Sequence, residues 1–154
     1  MYAVQLAVAR GANVTAIGGR HSEARLKELG ATTAHSYHDA SFEDLIGTFD
    51  TVLDLSGTLR YSRVRRKLTE RGAFVRVNPQ KDLVCMITSR VGERTMPFAY
   101  VPHPSAPTQA HVLELVAGGV IRSAVETAYG ISEFRAAFDG LLRNERFGKT
   151  VLSY

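Results

Sequence analysis

Apolar and polar positions along this chain switch repeatedly between a helical and an extended period. Val4, Leu6, Ala7 and Val8 form a short helical pattern over residues 2–9, and Gly11 follows in a C-cap position. Residues 13–18 (NVTAIG) are a short apolar run bounded by glycine, as in a buried parallel strand. Ser22 is placed to cap a helix through Leu29, with Glu23 in its first turn where the helix dipole favours a carboxylate. Gly30 stops that helix, a strand follows over 33–36, and a second capped helix is expected over 41–46.

Residues 50–55 (DTVLDL) read as the next buried strand, closed by Ser56 and Gly57. A basic helix is expected over 59–69 and a strand over 73–77, followed by Asn78 and Pro79. Residues 83–89 fit helix or strand equally, because so short a run has no decisive period. Residues 98–101, from Phe98 to Val101, read as an edge strand stopped by Pro102 and Pro104. A helix over 108–117 offers Ala110, Val112, Leu113, Leu115 and Val116 to a core. A strand over 125–129, a helix from Ser132 to about Arg143 and a terminal strand at 151–152 complete the pattern. Strands alternating with helices, with glycine at the strand ends, predict an α/β fold: a doubly wound, mainly parallel sheet with helices on both faces. No repeat or interior linker divides the 154 residues, so a single domain is expected over 1–154.

Composition narrows the setting. Hydrophobic residues at 45% and charged residues at 22% are ordinary for a globular protein. No apolar run is long enough to cross a bilayer, so no membrane association is expected. The single cysteine, Cys85, excludes an internal disulfide and a cysteine-based zinc cluster, and fits a reducing, cytoplasmic location. The net charge of +4 draws much of its excess from Arg60, Arg63, Arg65, Arg66, Lys67 and Arg71. On a helix, Arg60, Arg63 and Lys67 share a face while Val64 and Leu68 turn toward a core. That pattern describes a solvated outer face, and no aromatics interleave with the charges as a stacking platform needs. No nucleic-acid partner is expected; an anionic small ligand is the more economical use of the charge.

In doubly wound sheets ligands lie across the carboxyl ends of the strands. After the first strand come Gly18, Gly19, Arg20, His21 and Ser22. A domain that binds NAD usually has an acid there for the ribose 2′-hydroxyl; here Arg20 stands instead, and a guanidinium pairs with a 2′-phosphate. A surface arginine in an ordinary turn is the competing reading. Tyr37, between His35 and His38, is either an edge tyrosine of the core or a surface for the adenosine phosphate. The histidine pair has no matching partner for a metal, so no metal site is expected. Ser56 and Gly57, and again Asn78, put small or polar residues where a ribose and nicotinamide can approach the backbone. Asp54 lies within an apolar strand, where a buried carboxylate needs a partner.

These segments, in this order, resemble the cofactor domain of the medium-chain dehydrogenase/reductase superfamily (the zinc-binding alcohol dehydrogenase family), particularly its zinc-independent, quinone-oxidoreductase-like branch. The landmarks are AVQLAVARGANVTAI (3–17), KELGA (27–31), DTVLDLSG (50–57), RGAFVRV (71–77), LVAGGVIRSAVETAYGISE (115–133) and GKTVLSY (148–154). The resemblance implies a Rossmann-like, three-layer fold that lacks its first strand and the glycine-rich loop holding the pyrophosphate. It implies NADP(H) as cofactor, with Arg20, Ser22 and Tyr37 around the 2′-phosphate, Lys149 near the cofactor and Asn78 beside the nicotinamide. It implies hydride transfer to a carbonyl or activated alkene, with a quinone-like or carbonyl substrate, in a longer parent protein. For this chain alone it implies weak or lost cofactor binding and no activity, and no catalytic residue stands out. The strand from Phe98 to Val101 resembles one that joins two copies into a homodimer, and an exposed apolar edge needs covering in any case. The alternative is a non-catalytic dimeric interaction module, or one that binds nucleotides weakly. A short-chain reductase fits less well, since Tyr61 is followed four residues later by Arg65 in place of lysine.

Overall fold

A computed structural model describes residues 1–77, 94–96, 105–123, 125–143 and 148–154. These divide into two compact units, Met1–Phe42 with Ser105–Tyr154, and Glu43–Pro104.

The first unit begins with α1 (Tyr2–Ala9), β1 (Thr15–Gly18), α2 (Glu23–Glu28) and β2 (Thr33–Ser36). Gly11, just past the end of α1, has φ +77°, the left-handed region that favours glycine after a helix. β1 and β2 pair in parallel, from Thr15 opposite Thr33 to Gly18 opposite Ser36. Parallel neighbours need a crossover, and α2 supplies it. Ala16, Leu26, Ala31 and Ala34 form the core of this layer, with Val4 and Val14 packed against it. Gly30 is required twice over: its φ is +98°, and a Cβ there would stand 2.9 Å from Val8.

The same unit continues with α4 (Ala106–Ala117), β5 (Val125–Gly130), α5 (Phe134–Leu142) and β6 (Lys149–Ser153). β5 and β6 are again parallel, with an irregularity between Val125 and Thr127. Ser105 caps α4 by accepting from the Thr108 N–H at 3.4 Å. The expected core positions of that helix are not buried; Val112, Leu113 and Val116 are exposed and Leu115 is half-buried. Its apolar residues fall on adjacent positions and so spread around the helix. The cap expected of Ser132 is not made: Glu133 holds the N-cap position without a side-chain cap bond, and its carboxylate accepts from the Gly130 N–H at 2.9 Å, ahead of the helix. A 3-10 turn over Ile131–Glu133 therefore precedes the helix.

In the second unit β3 (Phe49–Asp54) pairs in parallel with β4 (Leu68–Arg76), and α3 (Tyr61–Val64) with a 3-10 turn at Arg65–Lys67 links them. Two expectations change here. The basic helix ends early, because Leu68 joins the ladder opposite Phe49. The helix expected over 41–46 reduces to a 3-10 turn at Phe42–Asp44. Its apolar residues Phe42 and Leu45 are both buried and three apart, the repeat of a 3-10 helix. Val64 and Leu68 are buried, as the pattern of the basic segment predicts. Along β4, Leu68, Gly72, Phe74 and Arg76 face inward. On the other edge of β4, the Phe74 N–H donates to Thr95 O at 2.9 Å and the Thr95 N–H to Gly72 O at 3.1 Å. The described strands thus form three parallel pairs, β1–β2, β3–β4 and β5–β6.

Candidate functional site

The carboxyl ends of β1 and β2 bring Gly18, Gly19, Arg20, Ser22 and Tyr37 together. The Tyr37 N–H donates to Gly18 O at 3.0 Å, extending the ladder by one bond. The Tyr37 ring is 55% exposed and stands tilted against His38, with ring centroids 4.4 Å apart. A Cβ added to Gly19 would lie 3.6 Å from the Tyr37 hydroxyl, so the ring flanks the glycine backbone. Tyr37 is therefore a surface residue at the strand end, not a member of the core. The turn that aims it is fixed by Ser36, which is 1% exposed and whose Oγ accepts from the His38 N–H at 3.2 Å. Sequence reasoning passed over Ser36. A serine at a strand end, able to bond the backbone two residues on, was the available signal.

Ser22 sits at the N-cap position of α2 but does not cap it. Its backbone is helical, with φ −94° and ψ −13°, whereas an N-cap residue is normally extended. Its hydroxyl turns back and donates to Gly19 O at 2.6 Å, alongside its own N–H at 2.9 Å. Ser22 is buried, and this packing excludes a side chain at Gly18, where a Cβ would meet Ser22 Oγ at 2.2 Å. The serine closes the turn and leaves Arg20 at its tip. Arg20 is exposed and, among the described residues, makes no hydrogen bond or ion pair. An exposed guanidinium with no partner among the described residues, in a turn of residues 18–22 with no acid whose Gly19 is flanked by the Tyr37 ring, suits an anion.

In the second unit Ser56 and Gly57 follow β3 as expected, and Asp54 organises them. Asp54 Oδ1 accepts from the Ser56 N–H at 3.0 Å, the Ser56 hydroxyl at 2.7 Å and the Gly57 N–H at 2.9 Å. Its Oδ2 accepts from the Leu59 N–H at 3.1 Å. The partner that the buried carboxylate needs is Arg76, with Nε 3.8 Å from Oδ2 and the two side chains 1% and 3% exposed. Arg76 also donates to the carbonyl of Gly57. Arg76 was not anticipated, because inside an apolar strand only the register of β4 against β3 puts it opposite Asp54.

Lys149 opens β6 and is exposed; among the described residues it makes no hydrogen bond or ion pair with Arg20, Ser22 or Tyr37. Its charge, after burial, helps to hold the Met1 amino group below its ordinary range. Asn78 and the strand expected from Phe98 to Val101 lie outside the described residues. Among those described, no three His, Cys, Asp or Glu side chains could hold a metal ion, and no helix is long and apolar enough to cross a membrane.

Residues 29–152 match a family model described as zinc-binding dehydrogenase. No curated protein matches the chain. Among solved structures, the quinone oxidoreductase of Coxiella burnetii superposes with a TM-score of 0.77 at 23% identity, over 99% of this chain and 48% of its own. The quinone oxidoreductase of Thermus thermophilus, solved alone and in complex with NADPH, gives 0.71 at 24% identity, over 99% of this chain and 53% of its own. A thermostable alcohol dehydrogenase of Pyrobaculum aerophilum, with cobalt and zinc bound, gives 0.73 at 25% identity, over 99% and 45%. The fold is thus Rossmann-like α/β, and the chain spans about half the length of the structures it matches.

Proposed function

The chain belongs to the zinc-binding dehydrogenase family, and on that premise we propose that it is the cofactor-binding portion of an NADP(H)-dependent oxidoreductase of the quinone-reductase and alcohol-dehydrogenase type. The observation that carries this reading is Arg20, exposed and without a partner among the described residues, in a turn with no acid whose Gly19 is flanked by the exposed Tyr37. A 2′-phosphate is dianionic and a 2′-hydroxyl is neutral, so a guanidinium here selects NADP(H) over NAD(H). Ser22 supports the site through Gly19 rather than by touching the phosphate.

Ser56, Gly57, Asn78 and Lys149 complete the proposed cofactor contacts. The bound nicotinamide supplies hydride chemistry toward a carbonyl or activated alkene; this chain's residues bind and orient it. The substrate, quinone-like or carbonyl, belongs to the whole protein, as do homodimer formation through the Phe98–Val101 edge and a cytoplasmic location.

Titration of the chain with NADPH and with NADH, read by the fluorescence of the reduced nicotinamide, tests the reading. NADPH is expected to bind more tightly, and Arg20→Ala to remove most of the difference. Failure of both dinucleotides to bind at roughly millimolar concentration would sink it.

A further inference from the structure

The loop after β3 carries information in the direction of its hydrogen bonds. An ionised carboxylate only accepts, and every described partner of Asp54 is a donor. Ser56 has one hydroxyl proton, and it points to Asp54 Oδ1 at 2.7 Å, because no other proton can lie between those two oxygens. The Ser56 and Thr58 hydroxyl oxygens are also 2.7 Å apart. With the proton of Ser56 already placed, that contact has one solution: Thr58 donates and Ser56 accepts. Ser56 Oγ accepts the Thr58 N–H as well, at 3.3 Å. The proton of Thr58 is therefore directed inward, and its exposed oxygen presents lone pairs alone.

The backbone follows the same direction. The N–H groups of Ser56, Gly57 and Leu59 all point at Asp54, and that of Thr58 points at Ser56. A phosphate cradle needs such groups turned outward. Gly57, at φ +70°, lets the chain fold back over the carboxylate. Arg76, 1% exposed, neutralises Asp54 from beneath, and its guanidinium is not offered to a ligand.

We propose that Asp54 orients a relay through Ser56 to Thr58, so that Thr58 reads a hydrogen-bond donor on the ligand, a ribose hydroxyl or the carboxamide N–H, and this loop does not hold phosphate. The proposal rests on the reading that the chain binds a nicotinamide dinucleotide, and it makes Thr58 a specificity-determining contact with Asp54 as its positioning residue.

Thr58→Val keeps the shape of the side chain and removes the acceptor, while Thr58→Ser keeps the acceptor. Thr58→Val is expected to weaken NADPH binding about fivefold, the effect of one ordinary hydrogen bond, and NADH binding by the same factor. Thr58→Ser stays within about twofold of the parent chain, and the exposed site leaves the melting temperature of both variants unchanged. The 3-acetylpyridine analogue of NADPH lacks the amide N–H groups. If Thr58→Val still weakens it, the donor is a ribose hydroxyl; if the effect vanishes, the donor is the carboxamide.

Unchanged NADPH affinity in Thr58→Val, with the parent chain binding, overturns the proposal alone. So does a loss confined to NADPH, which would mean that the loop reads phosphate. Absence of binding by the parent chain overturns the functional reading and the ligand half of the proposal together. The relay has its own test in the free chain, by amide hydrogen exchange. Ser56, Gly57 and Leu59 are expected to be protected, and Leu59 to lose protection in Asp54→Asn; unprotected amides in the parent chain overturn the relay.

Discussion

The side-chain amide of Gln5 and the backbone of Arg122, 117 residues apart in sequence, bond to each other in both directions. The Arg122 N–H donates to Gln5 Oε1 at 2.7 Å, and Gln5 Nε2 donates to Arg122 O at 3.2 Å. Gln5 is the buried residue of α1, so a polar side chain holds the inward face of an otherwise apolar helix. A primary amide matches a peptide group donor for acceptor, and no other neutral side chain of this length does so.

Replacing Gln5 by leucine leaves the Arg122 N–H and carbonyl without this partner, at a cost of about 1–3 kcal/mol. Gln5→Glu retains the acceptor but turns a second oxygen toward the Arg122 carbonyl. Its destabilisation is expected to be larger at neutral pH than in mild acid, where the protonated carboxyl donates again. Urea denaturation of the two variants at both pH values measures this.

Arg20→Ala is expected to weaken NADPH binding about tenfold, as removal of one charge-assisted contact does, and to leave NADH binding nearly unchanged. The difference should shrink with added salt, since Arg20 is exposed. Equal losses for both cofactors would place the arginine away from the 2′-phosphate.

Gly18 and Gly19 are adjacent, yet they differ in what a methyl group would meet. Gly18→Ala drives a Cβ to 2.2 Å from Ser22 Oγ and 3.0 Å from Leu26 Cδ1, so the turn must open. A fall in melting temperature of several degrees is expected. Gly19→Ala meets only the Tyr37 ring, its hydroxyl at an ordinary 3.6 Å, and should unfold with the parent chain. Thermal melts of the pair distinguish the two positions.

Asp54→Asn and Arg76→Met each leave a buried charge without its counterpart, and each is expected to cost about 3–5 kcal/mol. The double variant should recover much of that loss, because no buried charge remains uncompensated. Simple addition of the two losses would show that the residues stabilise the chain independently. Denaturant midpoints of the four chains complete the cycle.

The parallel strands and their helices were legible in the sequence because apolar runs between glycines carry a strong local signal. The bounds of β1, β2, β3 and β5 lie close to the pattern. Failures occurred where a local signal met a competing partner, distant or near. Residues 59–69 have a helical period, but Leu68 finds a strand partner in Phe49 and the helix stops. Ser22 has the right type and spacing for a cap, but its hydroxyl has an acceptor already in Gly19. The candidate site shows the same division. Arg20 and Tyr37 each stand just past the carboxyl end of a strand, a place that the local pattern marks. Ser36 acts through burial and Arg76 through register, which no local window records.

The clasp of Asp54 on its loop has a kinetic consequence. Four backbone N–H groups and two hydroxyls are already fixed by Asp54 and Ser56 before any ligand arrives. A ligand that lands on residues 56–59 meets a finished surface and forfeits little chain entropy in ordering it. Association there is therefore expected in a single phase whose rate rises linearly with ligand concentration, with no plateau from a slow rearrangement of the loop.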